Sequence, residues 1–214
     1  MLKADFHIHS KYSMDSQNEP EDIVKRCQEL GINCVAIADH NAVEGAFKMK
    51  EIAPFKVIVA EEVLTNSGEV MGMFLKKHIA SGIPLEEAIA KIKEQGGLVS
   101  IPHPFAPLRG LRLNEDEMAK LAPQIDIIEV FNARCPYIQP NNKANEFAGE
   151  HNLPGTAGSD AHTLGEIGNV FVEMPDFNSP QEFLEALRKA KIEGKYSGLF
   201  VHFHSTWAKI QKGF

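Results

Sequence analysis

The stretch "KADFHIHSKYSMDS" (residues 3–16) places two histidines and two carboxylates in a short run near the start of the chain. Residues 3–9 alternate: Ala4, Phe6 and Ile8 fall on one side, Asp5, His7 and His9 on the other. That period of two predicts a strand with an apolar and a polar face. Side chains at i and i+2 leave a strand on the same face, so His7 and His9 can offer two nitrogens to one metal ion. Asp15 follows in what reads as a loop.

The same grammar repeats outward from this stretch. "EPEDIVKRCQELG" predicts a helix, with Ile23, Cys27 and Leu30 at i, i+4, i+7 and Gly31 as its stop. "CVAIAD" (34–39) and "FKVIVAEEV" (55–63) predict buried strands, and "VMGMFL" (70–75) a further one across a "TNSGE" turn. A helix follows in "PLEEAIAKIKEQGG", with Leu85, Ala88, Ile89 and Ile92 inward. Then come strand "LVSIP", a short helix at "EDEMAKLA", strand "DIIEVFN", helix "NKANEFAGEHN", strands "GTAGS" and "VFVEM", and helix "SPQEFLEALRKAK", with Ser179 as N-cap and Pro180 at its first position. Alternating strands and helices imply a largely parallel sheet, and seven or eight strands suggest a barrel. No linker, repeat or low-complexity segment interrupts the chain. The expectation is one domain over 1–214, a barrel over 1–195 and a tail over 196–214 packed on its outside.

The bulk numbers fit this. The chain has 214 residues, 43% hydrophobic and 24% charged, enough for one sizeable core. Its net charge of −7 argues against a binder of long duplex nucleic acid or of anionic membranes, which needs a basic face. Charged residues interrupt the first apolar run, which argues against a signal peptide, and no stretch approaches the ~20 apolar residues of a membrane span. Cys27, Cys34 and Cys135 are too few and scattered for a disulfide framework. A cytoplasmic protein with no obligate protein partner is the expectation.

The polar residues cluster at strand ends. His7 and His9 close the first strand, Asp39 and His40 the second, and Glu61 and Glu62 lie near the end of the third. His103 follows "LVSIP", Glu129 and Asn132 close "DIIEVFN", and Asp160 and His162 follow "GTAGS". In parallel sheets and barrels the carboxyl edge is where sites are built, so these residues converge on one rim. Histidines with carboxylates on one rim fit divalent metals, since a carboxylate can bridge two ions. A serine nucleophile at Ser10, Ser100 or Ser159 is the competing reading, but no G-x-S-x-G elbow is present.

In this order "DFHIHS", "AIADHN", "VAEEV", "SIPHPF" and "GSDAH" resemble the motifs of the PHP family (polymerase and histidinol phosphatase), from residue 4 to about 173. "GEVMGMFL", "PHPFAPLR" and "IEVFNAR" look most like its short, stand-alone phosphoesterases. The resemblance implies a distorted (β/α)7 barrel in the α/β class, with up to three divalent ions at the C-terminal ends of the strands. It implies that His7, His9, Glu62 and Asp160 hold a first ion, that Glu62 bridges to a second shared with His103, and that Asp15, His40 and His162 hold a third. Glu62 rather than Glu61 is the bridge, because the family's glutamate falls just before the apolar position of Val63. Asp5 and Asp39 are then expected to orient the histidines. Glu62, Asp160 and His162 carry the catalytic assignment. One position departs: many relatives have a histidine where this chain has Met71, and Glu69, two residues earlier on the same strand face, is the candidate substitute, whereas His78 lies farther along.

The implied activity is a metal-dependent phosphoesterase whose metal-activated water attacks phosphorus, with zinc, manganese or iron as the ion. Arg109 and Arg134 follow ligand-bearing strands and are candidate phosphate contacts. The expected substrate is a small phosphomonoester, a nucleotide or a short oligonucleotide. The alternatives are an exonuclease-type phosphodiesterase and a metal-stabilised binding module without turnover. His202 and His204 in "VHFHS" have strand-like spacing but lie outside the motifs, and are expected to be packing residues.

Overall fold

The computed structural model describes residues 1–107, 109–198 and 201–213, and the side chains of all of these except 201–204. The strands are β1 (Leu2–Ile8), β2 (Cys34–Ile37), β3 (Lys56–Thr65), β4 (Gly68–Met73), β5 (Leu98–Ile101), β6 (Ile127–Asn132), β7 (Gly155–Gly158), β8 (Val170–Met174) and β9 (Lys191–Gly194). The helices are α1 (Pro20–Leu30), α2 (Glu44–Ile52), α3 (Leu85–Glu94), α4 (Glu115–Leu121), α5 (Ile138–Glu150), α6 (Pro180–Leu187) and α7 (Val201–Lys212). All nine strands form one sheet in the order β7-β6-β5-β4-β3-β2-β1-β8-β9.

The sheet is mixed rather than largely parallel. β1–β2, β2–β3, β5–β6 and β6–β7 pair parallel, whereas β4 runs antiparallel to both its neighbours and β8 to both of its own. The short turn between β3 and β4 leaves no room for a crossover helix, so β4 must run back. The first seven strands curl until the end of β7 meets the end of β1. There Ile8 pairs with Ala161, His9 N donates to Ala161 O at 3.0 Å, and Ala161 N donates to His7 O at 3.4 Å. This nearly closed barrel requires Gly158: a Cβ there would lie 2.1 Å from His7 Cβ and 2.8 Å from His7 N.

Two core layers follow. Inside the barrel, Phe6, Ala36, Ala60, Met71, Met73 and Ala157 pack together, and α6 closes the lower end with Phe183. Phe183 is fully buried and meets Phe6, Phe74 and Phe177 at ring-centroid distances of 5.1, 5.3 and 4.8 Å. Outside, α1 to α5 lay Ile23, Met49, Ile89, Leu121 and Phe147 over Val35, Ile37, Val99 and Ile128. Ile8 belongs to this outer layer and Phe6 to the inner one, so the simple alternation read for β1 breaks down. A register shift between Asp5 and Ile8 is the cause. Bulges of this kind re-aim side chains next to sites.

Several boundaries depart from expectation. Helix α2 carries no apolar stripe and no side-chain N-cap at Val43, so nothing local marked it. The last predicted helix stops at Leu187, and Lys191–Gly194 pairs with β8 as an edge strand with exposed ends. Helix α5 starts at Ile138, four residues before the predicted "NKANEF" run. Residues 202 and 204 lie in α7, which overturns their strand-like reading; their side chains lie outside those described. No helix among the described residues is long and apolar enough to cross a membrane.

Phe183→Ala should lower the unfolding free energy by about 3–5 kcal/mol, the cost of emptying a buried aromatic site. Denaturant unfolding with an unchanged m-value would report it.

Candidate metal centre

Strand ends deliver the polar residues to the open end of the barrel. The deepest group is His7 Nε2, His9 Nε2, Glu62 Oε2 and Asp160 Oδ1. The two imidazole nitrogens stand 3.0 Å apart, and Glu62 Oε2 lies 3.3 Å from His7 and 3.5 Å from His9. Asp160 Oδ1 lies 3.3 Å from His9 and 3.9 Å from His7. Atoms bound to one ion at about 2.0–2.2 Å stand roughly 2.8–3.6 Å from one another. Four of these five separations fall in that range, and the fifth is slightly beyond it.

Two further groups adjoin it. Glu62 turns its other oxygen, Oε1, to His103 Nε2 at 2.9 Å. His40, Asp15 and His162 form a third group with His9: Asp15 Oδ2 is 3.5 Å from His40 Nε2, and Asp15 Oδ1 is 3.1 Å from His162 Nε2. Glu69 lies between groups, with Oε2 3.9 Å from His103 Nε2 and Oε1 4.0 Å from His40 Nδ1. Met71 pairs across the ladder with Glu62 and is buried in the barrel interior. Glu61 points away from the centre, accepting from Ile79 N at 3.0 Å and pairing with His78 Nδ1 at 2.7 Å. His78 therefore stays outside the centre.

The donor set fits divalent cations: buried imidazole nitrogens and carboxylate oxygens, with no thiolate, converge within 3.0–3.9 Å of one another. His103 and Asp160 are also held at positive φ, 29° and 53°, which non-glycine residues rarely adopt. Strain of that kind persists where surrounding structure fixes a functional side chain.

Electrostatics show what the cluster costs without a cation. Burial disfavours charge on His7, yet Glu129, Asp160 and Glu62 outweigh it and hold the imidazole above its ordinary pKa. Burial disfavours charge on His40 too, but Glu62, Asp15 and Glu69 raise it to about 9. His9 is held below its ordinary value by burial and by the neighbouring histidines. Glu62 and Asp160 are buried, which opposes ionisation, but His40 and His7 on one, and Arg109 and His7 on the other, hold both well below the usual carboxylate range.

Asp5 and Asp39 lie behind the donors and hold the chain that carries them, Asp5 through the backbone of His7 itself. Asp5 accepts from Ser159 N at 2.9 Å and His7 N at 3.3 Å, and Asp39 accepts from Ser10 N and Oγ, both at 2.6 Å. Burial raises Asp5 to about 7 and Asp39 to about 6, against these hydrogen bonds. The residue that orients a ring is Glu129. Its Oε1 meets His7 Nδ1 at 3.0 Å, while Oε2 accepts from His103 N at 2.7 Å and Asn132 Nδ2 at 3.0 Å. The sequence placed Glu129 at the end of the strand "DIIEVFN" without marking which side chain it serves. Glu166, which the sequence reading did not single out, accepts from His162 N at 3.1 Å and pairs with Arg134 Nε at 3.2 Å. Arg134 is not a loop cation: its side chain is 2% exposed and it meets Glu166, His162 and Ser205. Arg109 reaches Asp160 Oδ2 at 2.5 Å.

The family model described as PHP domain matches residues 5–116, and that described as PHP-associated matches residues 139–192. The chain belongs to the PHP family. An uncharacterized protein of Methanocaldococcus jannaschii is 38% identical over 197 residues, covering 87% of this chain and 79% of that protein. Among solved structures, a two-domain protein of Bacteroides vulgatus containing a predicted PHP-like metal-dependent phosphoesterase matches with TM-score 0.74 and 20% identity. The match covers 91% of this chain, which spans 65% of that protein. A proposed metal-dependent phosphoesterase of Bifidobacterium adolescentis matches with TM-score 0.67 and 17% identity, covering 87% of this chain and 96% of that one. PHP membership and the histidine–carboxylate cluster together support a metal-dependent hydrolase.

Glu129→Gln should leave the fold intact and weaken divalent-metal affinity by about 10–100-fold, since a carboxylate behind a ligating imidazole fixes its tautomer and basicity. Metal titration followed by calorimetry measures it. Metal affinity should also rise with pH. His7 and His40 are held above their ordinary values in the metal-free protein, so it carries protons that the bound ion displaces. Affinity should fall steadily from pH 8 to pH 6, and calorimetry in buffers of different ionisation enthalpy should show proton release.

Proposed function

We propose that the protein is a metal-dependent phosphoesterase acting on a small phosphomonoester, a nucleotide or a short oligonucleotide. The observation that carries this reading is the pair of donor groups sharing Glu62, with one carboxylate oxygen turned to each. Divalent ions there would supply Lewis-acid stabilisation of phosphoryl oxygens and an acidified water. His7, His9, Glu62 and Asp160 would hold the first ion, Glu62 and His103 the second, and Asp15, His40 and His162 the third. Glu69 takes the ligand place that Met71 vacates, because it shares that strand face and its oxygens stand about equally far from His40 and His103.

The chain's own groups supply the rest. Asp160 faces His9 with one oxygen and Arg109 with the other, so it ties the ligand set to a cation at the cavity wall. Arg109 is 28% exposed there and can approach a phosphoryl oxygen, whereas the buried Arg134 braces His162 through Glu166. The mixture of nitrogen and oxygen donors without thiolate suits zinc, manganese or iron.

Protein purified with manganese, zinc or iron should hydrolyse at least one class of phosphate ester. The His7→Ala, His9→Ala double variant should lose the bound metal and at least about 100-fold in kcat/KM, on the order expected when a metal's ligands are removed. Equal residual activity in the two proteins would sink the proposal.

A further inference from the structure

Helix α7 stands at the mouth of the centre, where the sequence led us to expect only outside packing. Ser205 and Lys209 sit one turn apart on the helix, so both face the same way. With Thr206 they line a cavity of about 290 Å³ whose other walls include Asp15, His40, His103 and Arg109. The helix is latched in place. Lys212 Nζ donates to the carbonyls of Lys11, Ser13 and Ser16 at 2.7, 2.6 and 2.6 Å, so all three of its donors are matched. Those carbonyls belong to the loop between β1 and α1 that carries Asp15. On the other side, Arg134 Nη2 donates to Ser205 Oγ at 3.0 Å.

All three cations of this cavity meet buried carboxylates: Arg134 meets Glu166, Arg109 meets Asp160, and Lys209 Nζ lies 3.4 Å from Asp15 Oδ2. Lys209 differs in being the most exposed of the three, at 44%, and in sharing its carboxylate with the rings of His40 and His162. A divalent ion held by the third group would claim the same carboxylate. A lysine on a flexible stem then presents its ammonium to an anion in the cavity.

We infer that α7 is the substrate-seating wall of the centre and that Lys209 is a positioning residue holding a non-bridging oxygen of a terminal phosphoryl group. This rests on the phosphoesterase reading and narrows it. A cavity of this size, walled on one side by a latched helix, suits a small molecule or a chain end rather than a phosphate inside a polymer. A cation at its lip favours the dianion of a monoester over the monoanion of a diester.

The test uses the metal-loaded protein, with Lys209→Met and Lys209→Arg beside wild type. Inorganic phosphate affinity is measured by calorimetry, KM and kcat with p-nitrophenyl phosphate and bis(p-nitrophenyl) phosphate, and metal content by elemental analysis. Lys209→Met should weaken phosphate binding and raise the monoester KM by about tenfold, as loss of one charge-assisted contact predicts. Its kcat should change by less than about threefold. The diester KM should rise less, metal content should stay full, and Lys209→Arg should recover most of the loss. Unchanged phosphate affinity and monoester KM in Lys209→Met would overturn the inference. Loss of metal in that variant would also overturn it, by assigning Lys209 to holding Asp15. Wild-type protein that binds phosphate but hydrolyses neither ester would instead sink the phosphoesterase reading, leaving the phosphate seat to be judged by binding alone.

Discussion

The approach of β7 to β1 over Gly158 is the constraint on which the rest of the site depends. Without a side chain at 158 the two backbones come close enough for Ala161 to bond across to His7 and His9. That contact carries Asp160, from one end of the sheet, onto histidines from near the other. Residues more than 150 positions apart in the chain thereby share one set of donors, a geometry no local segment could build.

Closure alone would not aim the side chains. Register shifts interrupt β1 between Asp5 and Ile8 and β6 between Glu129 and Phe131. One irregularity spans His7, just before His9, and the other follows Glu129, and the two strands meet in the Glu129–His7 hydrogen bond. The same carboxylate holds the backbone of His103, whose φ of 29° needs outside support. Glu129 therefore fixes the ring of one candidate ligand and the backbone of another. Both of these pairing irregularities, and the positive φ of His103 and Asp160, lie at the rim.

Most of the candidate donor set was legible because its members lie near the ends of apolar strands, and strand ends converge in a sheet of this kind. The choice of Glu62 over Glu61 came from a motif, and it coincides with a side-chain direction: Glu62 faces the rim and Glu61 faces His78. Three things were not legible. The bulge in β1 obeys no local period, so that Asp5 would reach the amides of both His7 and Ser159 was not readable from alternation. Glu129 was visible as a polar residue at a strand end, but its bond to a ring 122 positions away depends on closure. Helix α7 owes its place to Lys212 and Ser205 finding partners in distant loops, which sequence period does not encode.

Strand β4 shows how the site absorbs the departure at Met71. Its antiparallel register sets Met71 opposite Glu62, and its side chain is buried in the barrel interior. Glu69, two residues back on the same face, is held by Gly110 N at 3.0 Å, which fixes one of its oxygens at the rim. With Glu69 as a donor, a carboxylate oxygen takes the place of an imidazole nitrogen, and that half of the cluster becomes harder and more anionic. In the metal-free protein that carboxylate lies 4.0 Å from His40 Nδ1 and 3.9 Å from His103 Nε2. His40 feels it directly, since Glu69 is among the carboxylates that hold its proton in the metal-free state. Were Glu69 to serve as a donor as proposed, an ion bound there would compete with His40 for the same carboxylate charge.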